Sequence, residues 1–366
     1  MKLIKRHKNG IITFLSIFLV LFILYIFLFN TVYIKPLDLG EYVDNSMRNS
    51  TISGSLVRAD DELYFSAYNH FPKNGIYKIS DFFTQMVCGD RFKFDFSLPF
   101  TTYSYKGNLL EDFVTDNSEF GNAKIKKLNF ANGEYEDFIN LECPDNEKIT
   151  DYFTLEGELY FVTDKHHSIY QYEESGYKLI ASEEYCGKGF APEQYYQHYM
   201  YFSYLNHSAE KSEELTELYQ YDMTTQKVIQ RIDLNQLPII CQKEQMTLEE
   251  YQITDHFIFF VFKNIGNDNY VFYKMNISDG DFLKVYETNE PYQLNSYGEY
   301  AYLSFRSGGE KKGLYAFTLN EDIPKKLVDS EICEIYIVDK KYVYYEDDNN
   351  CLYRITPDGK EYGRVF

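Results

Sequence analysis

The sequence lacks tryptophan entirely and is poor in basic residues, and each of these deficits excludes some classes of function. Its 366 residues include 36 Lys and Arg against 56 Asp and Glu, which gives a formal net charge of -20 and an isoelectric point of about 4.8. Because binding to phosphate backbones needs a positive surface, this charge excludes a nucleic-acid partner. The aromatic residues that are present, 37 Tyr and 30 Phe, favour strands over helices.

Motifs that carry common enzyme chemistry are also absent. The sequence contains no G-x-S-x-G, H-E-x-x-H, Walker loop or G-x-G-x-x-G, and its six cysteines include no C-x-x-C pair. The adjacent His166 and His167 are expected at a loop tip, as an ordinary surface pair or, alternatively, as metal ligands. We assign no catalytic, cofactor-binding or metal-binding residue from the sequence, and enzymatic activity is the less favoured interpretation.

One long apolar segment lies near the N-terminus. Residues 11–29 contain no charge, and the basic residues before them are accompanied by no acid. A helix of this length rises about 29 Å, which matches the hydrocarbon core of a bilayer. The sequence predicts a cytoplasmic basic tail over residues 1–10 and a transmembrane signal-anchor helix over residues 11–30. The rest of the chain then lies outside the cell membrane, to which a single span anchors it.

Two alternatives to the anchor are a cleaved secretory signal and a buried core helix, although no A-x-A-like cleavage site follows Phe29. A polar linker over residues 31–50 leads to the predicted extracytoplasmic domain, residues 51–366. Without the first 30 residues the chain keeps 32 basic and 56 acidic residues, a net charge of -24. The six cysteines fit an exported domain, either as disulfides in any of fifteen pairings or as unpaired thiols.

A pair of short aromatic strands recurs through the predicted domain. The clearest copy reads LYFVTD over residues 159–164, followed by SIYQY over residues 168–172. The copies are spaced by 41 to 57 residues, a period typical of β-propeller blades. Aligned on the first strand of each pair, they begin at Leu63, Leu109, Leu159, Met200, Phe257, Tyr300 and Tyr342.

Seven copies of this length account for all of residues 51–366. Interior propeller strands pack both faces against neighbouring blades, which explains apolar runs such as FIFFVF over residues 257–262. We therefore predict an all-β, seven-bladed β-propeller with four-stranded antiparallel blades, preceded by one transmembrane helix. A β-sandwich or another barrel is the alternative fold. The two longest spacings are expected to hold loop insertions, for instance at residues 210–215, or else a missed boundary.

The strand pair at residues 159–170 resembles the YWTD repeat, also called the low-density-lipoprotein-receptor class B repeat. More closely, the whole chain resembles bacterial membrane-anchored proteins of unknown function whose exported domain is built from Leu-Tyr-Phe repeats. This resemblance implies a propeller over residues 51–366 and transfers no catalytic residue. The absence of Trp departs from the receptor repeat, so no receptor ligand is carried over. The absence of Trp also argues against Asp-box sialidases and quinone-dependent propeller dehydrogenases, whose blade motifs resemble Trp-containing patterns.

Two kinds of loop are candidate binding elements. The acid-rich loops at residues 145–147, 267–269 and 347–350 offer oxygen ligands that suit Ca²⁺, the one cofactor that the sequence suggests. Ordinary turn chemistry is their alternative explanation. The loop YYQHY at residues 195–199 could stack on sugars or peptides, or its aromatic rings could pack between blades.

These features favour a non-catalytic binding, interaction or sensing module at the cell surface, with a protein, peptide or envelope polymer as ligand. The alternative is a glycan-acting hydrolase or lyase with acidic residues at the propeller axis. That function requires acids and a histidine to converge at one end of the channel, with raised carboxyl pKa values. A third possibility is a structural part of an envelope complex, with the anchor helix as the partner contact.

Overall fold

Seven four-stranded antiparallel sheets follow one another along the chain. Every sheet is built from four strands that are consecutive in sequence, so each sheet is one blade. The predicted all-β, seven-bladed propeller with four-stranded blades is confirmed. The computed structural model describes residues 13–24, 56–59, 61–67, 75–79, 84–88, 103–110, 122–132, 134–142, 147–204, 217–233, 246–305, 311–321, 323–349 and 351–366.

The first three blades occupy the N-terminal part of the propeller. Blade 1 contains β1 (Leu56–Ala59), β2 (Glu62–Ala67), β3 (Gly75–Ile79) and β4 (Thr84–Cys88). Blade 2 contains β5 (Tyr103–Tyr105), β6 (Asn108–Leu110), β7 (Asn122–Asn129) and β8 (Glu134–Glu142). Blade 3 contains β9 (Ile149–Leu155), β10 (Glu158–Thr163), β11 (Ile169–Glu173) and β12 (Gly176–Ala181).

The remaining four blades complete the ring. Blade 4 contains β13 (Phe190–Tyr196), β14 (Tyr199–Tyr204), β15 (Glu217–Asp222) and β16 (Lys227–Asp233). Blade 5 contains β17 (Met246–Ile253), β18 (Phe257–Asn264), β19 (Tyr270–Asn276) and β20 (Phe282–Thr288). Blade 6 contains β21 (Tyr292–Tyr297), β22 (Tyr300–Phe305), β23 (Gly313–Phe317) and β24 (Lys325–Val328). Blade 7 contains β25 (Ile332–Tyr336), β26 (Val343–Asp347), β27 (Leu352–Ile355) and β28 (Tyr362–Arg364).

Two helical segments accompany the sheets. The short helix Glu183–Cys186 links β12 to β13 and is capped by the Ser182 hydroxyl. Residues 13–24 are also helical and lie within the predicted anchor. In the part of the chain that the structure describes, no helix is long and apolar enough to cross a membrane. The rest of the predicted tail, anchor and linker, residues 1–12 and 25–50, lies outside the described residues.

The first strand of each blade lies at the propeller axis. β5 contacts both β1 and β9, and β21 contacts both β17 and β25, so first strands adjoin one another from blade to blade. The other strands follow outward, and the fourth strand forms the outer edge. The outer strands β12 and β16 are largely exposed, whereas β18, in the middle of its blade, is buried along its first six residues.

The buried side chains of the described residues form seven hydrophobic clusters, one at each contact between neighbouring blades. Alternate residues of one strand enter different clusters. Over residues 257–262, the odd-numbered side chains face blade 6 and the even-numbered ones face blade 4. The unbroken apolar run therefore reflects burial of both sheet faces, as predicted.

Aromatic packing between blades 7 and 1 closes the ring. The Phe366 ring centroid lies 5.1 Å from that of Phe65 and 5.0 Å from that of Tyr77. Both contacts have tilted or edge-on geometry, which aromatic pairs prefer over a face-to-face sandwich. Because all four strands of each blade are consecutive, side-chain packing across this last interface joins the two ends of the propeller.

The recurring strand pair recognised in the sequence forms the second and third strands of each blade. Leu63, Leu159 and Met200, which mark the first strand of their pairs, lie in β2, β10 and β14, the second strands of their blades. The actual first strands mix polar with aromatic residues, and β13 and β17 each contain a register shift. The predicted insertion at residues 210–215 falls between β14 and β15, outside the described residues, and seven blades form without a shifted boundary.

Candidate functional site

A pocket of about 280 Å³ opens at one end of the first strands, where turns of blades 4 to 7 converge. Gln197, Asp255, Gly298 and Lys340 each line it from the connection between the first and second strands of their blade. Pro357 reaches it from the turn between β27 and β28. We call this cavity the turn-end pocket. Its position lets four blades contribute to one binding surface.

Hydrogen bonds among three blades hold the pocket turns in place. The Tyr196 hydroxyl donates to Asp255 Oδ1 at 2.6 Å and accepts from the Gly298 N–H at 3.0 Å. The Asp255 N–H donates to the Gly298 carbonyl at 2.7 Å, and Gln197 Nε2 donates to Asp255 Oδ1 at 2.9 Å. Gly298 has a φ of +60°, a left-handed conformation that favours glycine. The turns of blades 4, 5 and 6 are therefore fixed relative to one another.

Asp339 lines the pocket, and both of its carboxylate oxygens already accept hydrogen bonds. Its Oδ1 accepts from the N–H groups of Lys341 at 2.8 Å and Tyr342 at 2.7 Å, and its Oδ2 accepts from the Tyr344 hydroxyl at 2.8 Å. Burial raises the pKa of the Asp339 carboxyl, while these donors and the charge of Arg58 oppose the rise. Asp339 therefore shapes the β25–β26 connection of its own blade.

Other polar groups at the pocket wall are available to a ligand. Asp255 Oδ2 accepts no hydrogen bond from the residues that the structure describes. Glu299 makes one long contact, 3.7 Å from its Oε1 to His256 Nε2, and its side chain is 66% exposed. Tyr302 is only 4% exposed, yet within the described residues its hydroxyl makes no hydrogen bond. All three side chains line the pocket, where a ligand can reach them.

The lining of the pocket carries a net negative charge. Burial raises the pKa of the Tyr300 phenol, and the charges of Glu299, Glu321 and Asp358 raise it further. Among the described lining residues, three acids stand against a single lysine, Lys340. A cation entering the pocket would therefore be attracted, and an anion would be repelled.

A second group of carboxylates lies on the same first strands, several residues before the turns. Glu193 on β13, Glu250 on β17 and Glu334 on β25 form this group, which we call the carboxylate belt. Glu193 Oε2 accepts from the Tyr251 hydroxyl of blade 5 at 2.6 Å. Glu334 Oε2 accepts from Gln293 Nε2 of blade 6 at 2.7 Å. The belt thus ties first strands together across the interfaces between blades.

Glu250 is the belt member whose carboxyl pKa is shifted by burial. Burial raises the pKa of its carboxyl, while hydrogen bonds from Gln252 and Tyr292 oppose the rise. Gln252 Nε2 lies 3.0 Å from Glu250 Oε1, and Tyr292 belongs to blade 6. Burial also raises the pKa of the Tyr292 phenol, and the Glu250 charge adds to that rise. Glu250 therefore links blade 5 to blade 6, as its neighbours in the belt link other pairs.

The histidine pair lies in the turn between β10 and β11, which confirms the predicted loop position. His166 Nδ1 lies 3.2 Å from Glu183 Oε2, and its Nε2 lies 3.8 Å from Glu147 Oε1. His167 has a φ of +47°, as a turn residue. Within the described part of the chain, no group of three or more His, Cys, Asp and Glu side chains could hold a metal ion. The structure therefore adds no support to a metal role for this pair.

The acid-rich loops use their side-chain oxygens in turn hydrogen bonds. Asn267 Oδ1 accepts from the N–H two residues later at 3.0 Å. Asp347 Oδ1 accepts from the N–H groups two and four residues later, at 3.1 and 2.9 Å. Glu147 is described and buried, whereas residues 145–146 and 350 lie outside the described residues. Turn chemistry explains the described oxygens without a calcium ion.

The Tyr-rich loop at residues 195–199 takes part in both packing and the pocket. Tyr195 and Tyr196 are buried in the clusters on either side of blade 4, so their rings pack between blades. Gln197 lines the pocket, and the His198 ring contacts the Tyr199 ring at 3.9 Å. The packing alternative therefore holds for the two leading tyrosines, while the tip of the loop reaches the candidate site.

The cysteines that the structure describes carry thiols. Burial raises the pKa of the Cys186 thiol to about 12, so it stays protonated at neutral pH. The side chains of Cys88, Cys143 and Cys241 lie outside the described residues. The described thiols are Cys186, Cys333 and Cys351.

Sequence reasoning missed Asp255, Glu299 and Tyr302 as site residues. Asp255 and Glu299 lie in the connections that follow the first strands, and Tyr302 lies near the start of the second strand β22. The signal that could have found them is positional. Once the blade period is known, the residues just before each second strand must meet at one end of the propeller.

Comparisons with known proteins find only distant likenesses. No family model matches the chain, and no curated protein matches it. Among solved structures, the chain is similar to KlAtg21 in its complex with the coiled coil of AgAtg16, with 11% identity and a TM-score of 0.46. That match covers 84% of this chain and 94% of the other.

The chain is also similar to two further solved structures, which it matches over different shares of its length. An oligogalacturonate lyase in complex with manganese has 9% identity and a TM-score of 0.45, over 92% of this chain and 95% of the lyase. A chain of the nidogen/laminin complex has 12% identity and a TM-score of 0.34, over 66% of this chain and 89% of the other. At such identities and TM-scores these likenesses assign no function to this chain.

Proposed function

We propose that this chain is a non-catalytic binding or sensing module, and that its ligand occupies the turn-end pocket. The observation that carries the proposal is the wall of that pocket. Hydrogen bonds between blades hold the turns rigid, while Asp255 Oδ2, Glu299 and the Tyr302 hydroxyl are left open to a ligand. A rigid frame with a few convergent polar groups is the usual form of a binding site.

The proposed location is the outer surface of the cell membrane. In this proposal residues 1–10 are cytoplasmic, residues 11–30 span the membrane and residues 51–366 form the extracytoplasmic propeller. The uncharged run with its basic flank supports the anchor. The Leu-Tyr-Phe repeats support a YWTD-like propeller of the bacterial membrane-anchored kind. The partners are then the membrane and a protein, peptide or envelope polymer, with no nucleic acid.

Site-specific photo-cross-linking in intact cell envelopes tests the binding proposal. A photoreactive amino acid would replace Lys340, an exposed residue that lines the pocket, in the full-length chain. The matched control would replace Ile265, which is 62% exposed and lies in the β18–β19 turn at the other end of blade 5. We expect a reproducible adduct from position 340 and none from position 265. Equal labelling from both positions, or none from either, would contradict the proposal.

A glycan-acting hydrolase or lyase is the second candidate function. The observation that favours it is the raised pKa of two carboxyls on first strands or their turns, those of Glu250 and Asp339. A histidine, His256, also contacts Glu299 beside the pocket. Both raised carboxyls, however, accept hydrogen bonds that stabilise the propeller itself. Turnover of envelope glycan by the purified chain, lost in Asp339→Asn with folding intact, would favour the enzyme.

A further inference from the structure

We infer that the turn-end pocket binds a cationic side chain, that of lysine or arginine, presented by a polypeptide partner. The inference rests on the proposed function and specifies the ligand of the same site. Three independent properties of the pocket lead to it: the hydrogen-bonding type of its open groups, the tyrosines of its wall, and its size.

The open groups of the pocket are hydrogen-bond acceptors. Asp255 Oδ2 and the Glu299 carboxylate can only accept hydrogen bonds when ionised, and both lie in turns that line the cavity. The Tyr302 hydroxyl offers a further oxygen at the wall. An ammonium or guanidinium group carries only donors, so it matches these acceptors and would form charge-assisted hydrogen bonds with the carboxylates. Lys340 offsets one of the three negative charges of the lining.

Tyrosine rings form much of the remaining wall, and one of them already holds cations of the protein itself. The Arg354 guanidinium carbon lies 4.3 Å from the Tyr342 ring centroid, and Lys341 Nζ lies 5.0 Å from it. The lining also includes Tyr297 and Tyr300. Aromatic faces attract cations through their quadrupole, and the attraction strengthens where water is excluded. The wall therefore suits the same kind of ligand as the carboxylates.

The size of the pocket limits the ligand to about one side chain. Drug-sized ligands occupy cavities of roughly 300–1,000 Å³, and the turn-end pocket measures about 280 Å³. A single lysine or arginine side chain fits this space better than an oligosaccharide. The net charge of -24 beyond residue 30 would also steer a basic polypeptide toward the propeller.

Fluorescence polarisation with the full-length chain in detergent micelles tests the inference. The probe is a fluorescein-labelled hexapeptide containing three lysines, compared with the same peptide acetylated on every lysine. Acetylation removes the charges and leaves the backbone unchanged. We expect the acetylated peptide to bind at least tenfold more weakly, and binding of the lysine peptide to weaken as salt is added.

Three variants connect that binding to the pocket. The double variant Asp255→Asn with Glu299→Gln keeps the shapes and removes the charges, and should weaken binding at least tenfold. Tyr302→Phe removes only the phenolic oxygen and should weaken binding severalfold. The control Asp268→Asn removes an exposed acid from the β18–β19 turn, at the other end of blade 5, and should change nothing. Thermal melting of each variant checks that the propeller is folded.

Equal binding of the two peptides, no binding of either, or equal weakening by Asp268→Asn would overturn the inference. The proposed function fails separately. An adduct from position 340 to an uncharged partner, without binding of the lysine peptide, would refute the cationic ligand and leave a binding module in place. Absence of both the adduct and the peptide binding would refute the two proposals together.

Discussion

Carboxylates occupy two levels of the same first strands, and their surroundings differ. In the carboxylate belt, Glu193 and Glu334 accept hydrogen bonds from side chains of the adjoining blade. At the turn end, Glu299 is 66% exposed and Asp255 has one oxygen, Oδ2, that accepts nothing from the described residues. The belt carboxylates therefore stabilise the ring, and those at the turn end are positioned to meet a ligand.

This difference shows that residue type and location in a propeller do not identify a functional carboxylate. What separates the two groups is whether the protein already supplies the hydrogen bonds that the carboxylate can accept. Asp339 illustrates the distinction, because it lines the pocket and yet both its oxygens accept hydrogen bonds from groups of blade 7. By this criterion Asp339 belongs with the belt.

The largest expected effect comes from Asp339→Ala. The substitution leaves the buried N–H groups of Lys341 and Tyr342 and the Tyr344 hydroxyl without their acceptor. Because each unsatisfied buried group costs about 1–3 kcal/mol, we expect a loss of about 3 kcal/mol or more in the free energy of unfolding. Urea unfolding, followed by circular dichroism, measures this loss. Tyrosine fluorescence is the second probe, because the chain has no tryptophan.

The matched variant is Glu299→Ala, which removes one of the exposed carboxylates at the turn end. Its side chain is exposed and makes only the long contact to His256, so its stability should stay within about 0.5 kcal/mol of wild type. If the two variants lost equal stability, the assignment of Asp339 to a structural role would be wrong.

A smaller effect is expected from Glu193→Ala in the belt. The Tyr251 hydroxyl and the Ser203 hydroxyl both donate to Glu193, so the variant should lose about 1–2 kcal/mol. A double-mutant cycle with Tyr251→Phe isolates the contact between blades 4 and 5. We expect a coupling of about 1 kcal/mol between the two positions. Additive losses would show that the belt does not tie these blades together.

The number and composition of the blades could be predicted from the sequence, because burial on both faces leaves a strong pattern. Strand β18 reads FIFFVF before its last two residues, and each of those six side chains enters an interface with one of two neighbouring blades. The first strands could not be recognised in the same way. They line the axis, so polar residues such as Glu193 and Gln194 interrupt their apolar pattern, and a register shift breaks the pairing of β13.

The candidate site could not be predicted, because its residues are brought together only by the arrangement of blades 4 to 7 in the ring. Tyr196 and Gly298 are 102 positions apart in sequence, yet the Gly298 N–H donates to the Tyr196 hydroxyl. No local sequence pattern predicts a contact between residues so far apart in the chain. The Tyr-rich loop pointed to the right part of blade 4, but its two leading rings serve packing, and Gln197 is the residue that reaches the pocket.

A pH-dependent effect is expected for Glu250→Gln. Burial raises the pKa of Glu250 in the folded protein above its ordinary value of 4.5. The folded state then binds this proton more tightly than the unfolded state, so the stability it contributes is present at low pH and is lost as pH rises through the folded pKa. Glutamine does not titrate. The variant should therefore become progressively more stable, relative to wild type, from about pH 4.5 toward neutrality.

Urea unfolding of both proteins across pH 4 to 8 measures this change. The difference between the two free energies of unfolding should widen with pH and then level off above the folded pKa. A constant difference would mean that Glu250 titrates alike in both states. That result would mean that burial does not perturb the Glu250 carboxyl. The belt carboxylates and the exposed carboxylates of the pocket would then differ less than we infer.

The smallest expected effect concerns the field at the turn end. Burial is the main cause of the raised Tyr300 pKa, and the charges of Glu299, Glu321 and Asp358 add to it. Removing one negative charge by Glu299→Gln should lower this pKa slightly, because the phenolate is then repelled less. A fluorotyrosine placed at position 300 and titrated by ¹⁹F NMR reports it in both backgrounds. Added salt should shrink the difference, since Glu299 is exposed and screened by ions. No change in the Tyr300 pKa would show that Glu299 does not contribute to the negative pocket, and Asp255 would then be its main open charge.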